Sequence, residues 1–416
     1  RAEAAHLRDG EGLPRFVEKT FEEFLRCGVL ACGFARARCS ACGHDRLIGL
    51  SCKRRGFCPA CGGRNMAEVA AHLCDAVIPR VPVRQWVLSL PFPLRYRTAF
   101  DAKLLSAVLG CFVRAVFADY RRRARQADLR GRVHLGAVTV VQRFAQTLAL
   151  DPHLHTLVPD GVWMTRADGE PTFLAFAPPM PDEVAAVCAD VARRVERLCE
   201  RRGTPLAPSA GESADDPLAE REPALAALGA ASVTGVGAIG RRRDRRTRRM
   251  GDATHCVEPF VRGLFSAEVT GFDLHAGVRI AASDRAGLER LCRYLARPPL
   301  SQDRLTRRPD GDFALRLRKP LRDGSTHLCF EPGELLSRLA ALVPAPRAHQ
   351  LRYHGVFAPH AKLRPLVVPS PPAPVADANT DAASTDVADR ERADVPTSHA
   401  ERRRRFTWAA LLSRVF

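Results

Sequence analysis

The segment "DPHLHTLVPDG", residues 151–161, sets two histidines on either side of a leucine in a run that alternates as a β-strand does. Residues i and i+2 of a strand share one face and lie roughly 6–7 Å apart. His153 and His155 are therefore predicted to point the same way, with Leu154 on the opposite side. Two imidazoles on one face can bind a divalent cation and leave coordination positions open for a substrate. The alternative is an ordinary pair of strand histidines.

Neighbouring segments supply partners for this strand. The run "RVHLGAVTVVQRF", residues 132–144, predicts a strand joined to it by a turn, and "VRQWVLSLPFPL", residues 83–94, predicts another that prolines close. A further strand is predicted over residues 273–282. Apolar periodicity and stop signals predict helices over the following ranges: 13–31, 65–79, 101–126, 182–202 and 284–299. This mixture indicates an α+β fold.

The helix predicted over residues 284–299 carries Tyr294, one of only four tyrosines in the chain. A 3.6-residue period gives this helix an apolar side: Leu288, Leu291, Cys292 and Leu295. Three basic residues fall on the other side: Arg290, Arg293 and Arg297. Tyr294 falls at the border, roughly 110° from the apolar centre. Its hydroxyl can therefore leave the core and meet a backbone phosphate held by those arginines, or it is a boundary tyrosine that only reaches toward water.

The formal net charge is +18 and the isoelectric point about 9.9, which indicates a polyanionic partner, most commonly nucleic acid. Arginine supplies 59 of the 64 basic residues, and a GC-rich genome is the alternative cause of that bias. Two dense runs, residues 241–249 and 402–405, are predicted to add salt-dependent, sequence-independent affinity for DNA. Solvated flexible runs are the alternative.

The sequence contains no secretory signal and no apolar run of roughly 18 residues that could span a membrane. We therefore expect a reducing, cytosolic compartment and no membrane partner. In such a compartment clustered cysteines bind metal more often than they form disulfides. Seven of the 14 cysteines fall between residues 27 and 61.

The cysteine cluster has the spacing of a four-sulfur zinc site. Two Cys-x2-Cys pairs, Cys39 with Cys42 and Cys58 with Cys61, would each supply two thiolates from one tight turn. Cys52 is a fifth candidate that can replace one of the four. Chance clustering in a cysteine-rich chain is the alternative.

Two further features flank this predicted site. Cys27 and Cys32 lie on the preceding predicted helix, and we expect them to be packed thiols. The segment "SCKRRGF", residues 51–57, lies between the two Cys-x2-Cys pairs. Three of its residues would project from a zinc-pinned loop toward DNA phosphates: Lys53, Arg54 and Arg55. A solvated basic turn is the alternative.

Composition shifts divide the chain into four parts. Residues 1–76 are predicted to hold an N-terminal helix and the zinc-binding domain. Residues 77–300 are predicted to hold the main domain, with an Ala-, Gly- and Pro-rich insertion or mobile loop over 203–258. A C-terminal subdomain is expected over 301–365, followed by a mostly disordered tail over 366–416.

Six segments resemble one family when read in order. They are "SCKRRGFCPACGGRNMAE", "WVLSLPFPLRY", "DPHLHTLVPDGV", "LCRYLARPPLSQDRL", "THLCFEPGELLSRLAALVPAPR" and "YHGVFAPHAKLR". They are similar to the rolling-circle transposases of the insertion-sequence-91 group, which carry an N-terminal zinc-binding domain. The likeness covers residues from about 20 to 365 in long blocks, which makes it more specific than any single motif.

The resemblance implies a fold and an activity. The family belongs to the HUH endonucleases, named for a His-hydrophobic-His motif, here His153-Leu154-His155. The implied fold is a small zinc-ribbon-like module followed by a central antiparallel sheet flanked by helices, with the tyrosine on a nearby helix. The implied activity is metal-dependent nicking and rejoining of single-stranded DNA at mobile-element ends. The implied location is the bacterial cytoplasm, with association with the nucleoid when the protein acts. His153 and His155 would bind Mg²⁺ or Mn²⁺, and Tyr294 would form a 5′-phosphotyrosine.

The chain departs from the family in two respects. Some relatives carry two tyrosines four residues apart, and here the earlier position is Arg290, which implies a single-tyrosine enzyme. Strand exchange would then require a second protomer in a homodimer, a reset step or another nucleophile. The chain also lacks an initial Met, and relatives tend to continue past residues 408–416 into another Cys-x2-Cys segment. It is therefore expected to be truncated at both ends.

Two questions stay open on the sequence. The third ligand of the catalytic ion is assigned to Gln142 on the neighbouring strand, with Asp160 and Asp284 as other candidates and a hydrogen-bonded strand Gln as the alternative. The activity has alternatives too. One is a non-catalytic zinc-dependent DNA-binding protein or an inactive truncated transposase copy. Another is a replication initiator or relaxase, disfavoured by the lack of a Gly-x4-Gly-Lys-Ser/Thr motif.

Overall fold

The computed structural model describes seven ranges of the chain: 12–39, 41–53, 56–129, 131–165, 169–206, 216–251 and 263–369. The predicted disordered tail therefore lies outside the described residues apart from its first four positions, and so does the basic run 402–405. Arg54 and Arg55 also lie outside them. In the described part, no helix is both long enough and apolar enough to cross a bilayer.

The described residues form helices and strands throughout. The helices are α1 Arg15–Arg26, α2 Pro59–Ala76, α3 Phe92–Phe100, α4 Ala102–Gln126, α5 Pro181–Arg201, α6 Pro217–Arg221, α7 Pro223–Thr234, α8 Arg285–Ala296, α9 Pro332–Leu342 and α10 Arg364–Val367. The strands are β1 Phe34–Arg38, β2 Asp45–Gly49, β3 Val83–Ser89, β4 Val133–His134, β5 Gly136–Phe144, β6 Leu150–Pro159, β7 Gly161–Thr165, β8 Pro171–Ala175, β9 Arg248–Gly251, β10 Ser266–Val269, β11 Phe272–Ile280, β12 Leu305–Arg307, β13 Phe313–Arg316, β14 Ser325–Phe330 and β15 Leu351–Gly355.

A central six-stranded sheet has the order β10-β11-β3-β6-β5-β15, and every neighbouring pair is antiparallel. The strand with the two histidines, β6, lies inside this sheet between β3 and β5. His153 stands opposite Gln142 on β5 and Ser89 on β3. The prediction of an α+β fold with a central antiparallel sheet flanked by helices is confirmed.

The alternation along β6 assigns its two faces to different helix layers. Leu154 and Val158 belong to the core under α4 and α5. Leu157, on the other face, packs in the core with residues of α2 and α8. A slip of one residue would exchange the two faces and carry the histidines into the first core, where an imidazole would take the place of buried Leu154 against α4 and α5. The register of the histidines is therefore fixed by the packing of their neighbours.

A second sheet, of order β12-β13-β14-β9, packs against α7 and α9. Its edge strand β9 comes from the segment expected to be an insertion or mobile loop, residues 203–258. In the described parts of that segment, residues 203–206 and 216–251, the structure differs from a mobile loop, because α6, α7 and β9 form there. An insertion stays a prediction. The small residues of α7 allow close packing: a Cβ added to Gly229 would lie 2.6 Å from the ring of Phe100. The Ala and Gly residues of α7 therefore serve close helix packing against Phe100.

The boundary expected at residue 300 does not separate two sheets. Strand β15 belongs to the expected C-terminal subdomain, yet it pairs with β5 as the edge of the central sheet. The end of the arginine-rich run 241–249 is held in place as well. Arg249, in β9, forms an ion pair of 2.6 Å with Asp323, and Arg338 donates to Thr247 at 2.7 Å. The described residues of this part, 216–251 and 263–369, therefore contribute both to the central sheet and to the second sheet.

The N-terminal module consists of α1, the β1-β2 hairpin and the start of α2. Helix α2 begins at Pro59 with Cys58 as its N-cap residue, six positions earlier than the sequence predicts. Proline at the first helical position suits a helix start, because its missing N–H would be unpaired there anyway. The second Cys-x2-Cys pair consequently lies in the first turn of a helix.

Candidate functional site

His153 is held in one orientation by two neighbours. Its Nδ1 lies 2.7 Å from the backbone oxygen of Asp151, and its Nε2 lies 3.1 Å from Oε1 of Gln142. Both partners are acceptors, and a neutral imidazole carries only one N–H. When Nδ1–H donates to Asp151, the Nε2 lone pair faces the Gln142 oxygen. A cation bound by both atoms would relieve that repulsion, so this pair of atoms suits a metal.

His155 lies deeper and leaves one nitrogen without a partner. It is 4% exposed, and its Nδ1 lies 2.8 Å from Nε2 of Gln85 on β3. Its Nε2 is buried and has no hydrogen-bond partner among the described residues. Metal binding through Nε2 would require Nδ1 to carry the proton and the amide oxygen of Gln85 to accept it. In the structure Nε2 of Gln85 faces Nδ1, so this requirement is met only when the side-chain amide of Gln85 turns over. The sequence did not reveal this contact.

The two imidazoles are close enough to share an ion. Their ring centroids lie 4.8 Å apart at an interplanar angle of 66°. Burial lowers the pKa of His155 well below its usual range, and the charges of His153 and Arg297 lower it further. Burial also lowers the pKa of His153, against the opposing charge of Asp151. Both rings are therefore held neutral, which is the form that binds a metal.

Tyr294 lies next to this pair. Its ring centroid is 6.1 Å from that of His155, with the two rings nearly perpendicular at 86°. The side chain is 46% exposed, because it sits at the edge of the apolar face of α8. The position is neither buried in the core nor distant from the histidines. A phenol placed in this way can meet a substrate from solvent while remaining beside the two histidines.

Gln142 connects the strand with the tyrosine helix. Its Oε1 faces His153, and its Nε2 donates to the backbone oxygen of Leu295 at 3.2 Å. The amide orientation is therefore set by α8, and the oxygen is left for the metal side. Nε2 of His153 lies 3.1 Å from Oε1 of Gln142, and the ring of His155 lies 4.8 Å from that of His153. These three side chains are the candidate donors for a divalent ion.

The two other candidates for a third ligand have structural roles. Asp160 is fully buried and forms an ion pair of 2.8 Å with Arg84, and Tyr120 donates to it at 3.2 Å. Asp284 caps the start of α8 by accepting from the backbone N–H of Gly287 at 2.7 Å. Both carboxylates are already engaged by protein partners, so neither is a free ligand for a divalent ion.

Basic side chains surround the phenol, and one of them comes from the second sheet. The guanidinium of Arg297 lies 4.0 Å above the Tyr294 ring. Burial and the charge of Arg297 lower the pKa of Arg318, an effect that the nearby Tyr294 opposes. Arg318 follows β13 and was not predicted, since no local pattern marks it. The other two predicted basic residues differ: Arg293 pairs with Glu289 at 2.7 Å, and Arg290 is exposed.

A single glutamine fixes the loop that carries Arg318. Oε1 of Gln146 accepts from the backbone N–H groups of Arg318 and Lys319, each at 3.1 Å, and its Nε2 donates to the oxygen of Lys319 at 3.1 Å. Buried Arg304 donates to the oxygens of Arg316 and Gln146 at 2.8 and 2.9 Å. The turn between β5 and β6 therefore holds the second sheet against the tyrosine site. We call this arrangement of Gln146 with residues 318–319 the Gln146 latch.

The structure gathers four thiols at the start of α2, and they differ from the predicted four. Cys27, Cys52, Cys58 and Cys61 place their sulfur atoms within 4.8 Å of one another. The separations are 3.6 Å for Cys27 with Cys61, 3.4 Å for Cys52 with Cys61 and 3.7 Å for Cys58 with Cys27. A tetrahedral zinc with Zn–S bonds of about 2.3 Å needs sulfur atoms about 3.8 Å apart. This quartet therefore fits a zinc ion.

The prediction that joined Cys39 and Cys42 to Cys58 and Cys61 does not match this geometry. Cys39 and Cys42 are exposed at the tip of the β1-β2 hairpin and do not join the quartet of the described residues. Cys27, expected to be a packed thiol, takes one of the places because α1 ends there, and Cys52 takes the other.

The remaining residues of the module can be placed as follows. Cys32 is exposed rather than packed. Lys53 is exposed beside the quartet, with a left-handed φ of 52°. Burial raises the pKa of the Cys58 thiol to about 11, so this cysteine ionises only with a cation at hand.

Helix α2 links the thiol quartet to the tyrosine helix. A Cβ on Gly62 would lie 2.6 Å from Cβ of Pro298, just after α8. At the other end, Arg285 of α8 donates to the backbone oxygens of Cys74, Ile78 and Pro79, the last two at 3.1 and 3.3 Å. The two helices also share buried side chains along their length. The position of α8 therefore depends on the module that the quartet organises.

Comparison with known families gives two matches. A family model described as "Putative transposase" matches residues 136–364, and one described as "Transposase zinc-binding domain" matches residues 1–90. The first covers more than half of the chain and contains the two histidines, Gln142 and Tyr294. The second contains all four cysteines of the quartet. No curated protein and no solved structure matches the chain.

Proposed function

The chain belongs to the transposases of the insertion-sequence-91 type, and from this membership we propose that it nicks and rejoins single-stranded DNA at the ends of a mobile element. The observation that carries the proposal is the approach of the exposed phenol of Tyr294 to His155, at 6.1 Å between ring centroids. A protein that only binds DNA needs neither an exposed tyrosine there nor a buried imidazole nitrogen left without a partner.

The phenol is the nucleophile of the proposed reaction. Oη of Tyr294 attacks the scissile phosphorus and releases its proton to solvent through its exposed side. The bond from Oη to phosphorus forms, and the bond from phosphorus to O3′ breaks. The O3′ atom leaves with the electron pair and takes up a proton. The products are a 5′-phosphotyrosine and a free 3′-hydroxyl. Attack by another 3′-hydroxyl reverses these changes, so rejoining requires no ATP.

Protein side chains prepare the site for this step. His153, His155 and Gln142 would hold Mg²⁺ or Mn²⁺, which supplies Lewis-acid polarisation of the scissile phosphate when bound. Arg297 stabilises negative charge on the phenol from 4.0 Å above the ring. Arg318 adds a second positive charge on the solvent side, where the DNA backbone arrives. The quartet is proposed to bind a structural zinc ion, with exposed Lys53 beside it for a phosphate contact.

A single tyrosine limits how the two ends of an element are processed. Arg290, exposed one turn before Tyr294, cannot attack phosphorus. We propose that a second protomer in a homodimer supplies the phenol for the second strand. In that case the two active sites of a dimer would each carry one covalent DNA end at the same time.

A covalent adduct assay tests the function. The protein is incubated with an end-labelled single-stranded oligonucleotide and Mn²⁺, denatured, and examined for a labelled protein band. We expect a band with the wild type and none with the double variant His153→Ala, His155→Ala, because removal of both imidazoles leaves Gln142 alone. Zinc content of the double variant should equal that of the wild type. A fall in bound zinc would show that the two metal sites had been confused.

The Gln146 latch gives a second prediction. Gln146→Ala removes three hydrogen bonds to residues 318–319, and we expect the rate of adduct formation at limiting DNA to fall about 10-fold, as for loss of roughly 1.4 kcal/mol. Arg318→Ala should produce a similar fall. The double variant should be no slower than Arg318→Ala, because both changes act through the same guanidinium. Arg307→Ala, an exposed arginine at the far end of the same sheet, is the control. Additive losses in the double variant would contradict a positioning role for Gln146.

A further inference from the structure

A groove of about 870 Å³ lies between α4 and the loop that follows β15. Its walls are mostly apolar, and its lining includes Phe117 and Val356. Three cations also line it: Arg121 on α4, Arg132 before β4 and Lys362 after β15. No acidic residue is among its lining residues. We call it the α4 groove.

The three cations have no carboxylate partner within the ranges that the structure describes. Arg121, Arg132 and Lys362 are exposed and form no ion pair there. The one contact of Arg121 is with an aromatic ring, since its guanidinium lies 5.9 Å from the ring centre of Phe117. Three cations without carboxylate partners beside apolar walls suit a ligand that carries negative charges and flat apolar surface together.

The α4 groove lies at the opposite end of the central sheet from the tyrosine site. Gly355 lines the groove and pairs with Gly136 at the start of β5. Gln142, which faces His153, lies six residues further along the same strand, roughly 20 Å away at about 3.3 Å per residue. Two residues that line the groove are joined by a backbone hydrogen bond, in which Val356 donates to the oxygen of Leu135 at 2.8 Å.

We infer that the α4 groove binds a second stretch of single-stranded DNA, separate from the stretch that meets Tyr294; the inference rests on the proposed function. Bases of a single strand are free to lie on apolar walls, and its phosphates meet Arg121, Arg132 and Lys362. A duplex hides its bases, and free phosphate would leave the apolar walls wet. The wall chemistry therefore favours an unpaired strand.

Binding to a labelled strand of about 30 nucleotides tests the inference, measured in the Tyr294→Phe background so that no covalent link forms. The triple variant Arg121→Glu, Arg132→Glu, Lys362→Glu should bind at least about 10-fold more weakly. Its salt dependence should become shallower by about 2 in the slope of log K against log salt, since three phosphate contacts at about 0.7 each are lost. The control triple variant Arg193→Glu, Arg197→Glu, Arg201→Glu changes the same charge on exposed positions of α5.

Two further measurements separate the possible occupants. An abasic strand of equal length should bind the wild type more weakly, because it offers phosphates without bases. A peptide of residues 377–401, an acidic part of this chain, should not displace the strand at stoichiometric amounts. Wild-type affinity in the triple variant, equal binding of the abasic strand, or displacement by the peptide would each overturn the inference. Adduct formation on a short oligonucleotide of about six nucleotides, with Tyr294 restored, should be unchanged in the triple variant. Absence of that adduct in the wild type would instead refute the proposed function.

Discussion

Tyr294→Phe is expected to abolish the covalent protein–DNA adduct, a loss of at least about 10³-fold in rate, because the reaction then has no oxygen to attack phosphorus. The substitution removes one hydroxyl and keeps the ring that Arg297 covers and His155 contacts. We therefore expect the fold, the zinc content and the affinity for single-stranded DNA to stay at wild-type levels. The measurement is the labelled band that survives denaturation, followed over time with Mn²⁺ present.

Tyr353→Phe is the matched control, since Tyr353 lies on edge strand β15 and contacts Arg364 rather than the histidines. It should form the adduct at the wild-type rate. A band that persists in Tyr294→Phe would place the nucleophile elsewhere and end the proposed mechanism. A band lost in both variants would mean that removal of any phenol disturbs the site, so the role of Tyr294 would remain without support.

Cys27→Ser is expected to remove the structural zinc ion, whereas the double variant Cys39→Ser, Cys42→Ser is expected to keep it. The reason is geometric: the sulfur of Cys27 lies 3.6 Å from that of Cys61, and the hairpin pair lies outside the quartet. Structural zinc contributes apparent binding free energies of about 10–16 kcal/mol in small modules, so loss of one ligand should also lower the melting temperature. Metal content by mass spectrometry of the native protein decides between the two sets.

The opposite result would restore the prediction from spacing. If the hairpin variant loses zinc and Cys27→Ser keeps it, the quartet of the structure is not the metal site. Loss of zinc in both variants would require two ions or a shared cluster, and the metal count of the wild type would distinguish these cases. Cys58→Ser should lose zinc under either assignment, which makes it the positive control for the assay.

The central sheet could be predicted because its signals are local. Alternation over residues 150–159 and the runs before and after it specify strands, and the period of α8 places Tyr294 at the edge of an apolar face. The face shared by His153 and His155 follows from the strand geometry alone. What joined them to Tyr294 was the resemblance to a family, since nothing in the local sequence says that α8 packs on this face of the sheet.

The zinc ligands could not be predicted from spacing, because two Cys-x2-Cys pairs look equivalent in a sequence. Only the fold distinguishes a pair in the first turn of a helix, Cys58 and Cys61, from a pair at the tip of a hairpin, Cys39 and Cys42. The end of α1 then delivers Cys27 from 31 residues before Cys58. Proximity of this kind depends on chain path and leaves no periodic mark.

Composition gives a wrong prediction of mobility for residues 216–251. Alanine and glycine are common in flexible loops, but here they allow α7 to pack closely against the ring of Phe100. Gln85, Gln146 and Arg318 were missed for a related reason. Gln85 lies 70 positions from His155, Gln146 more than 170 from Arg318, and Arg318 24 from Tyr294, and a single polar residue in a strand or loop carries no pattern.

The contact of α2 with α8 makes the position of Tyr294 depend on the zinc that the thiol quartet is proposed to bind. Gly62 meets Pro298 at one end of the helix pair, and at the other end Arg285 donates to the carbonyls of Cys74, in α2, and of Ile78 and Pro79, just after it. Without zinc, the thiol quartet and the start of α2 would no longer be held in place. We would then expect α8, and with it Tyr294, to lose its fixed position beside the histidines. On the proposed function, substitution of any one of the four thiols would inactivate the protein, as loss of Tyr294 would.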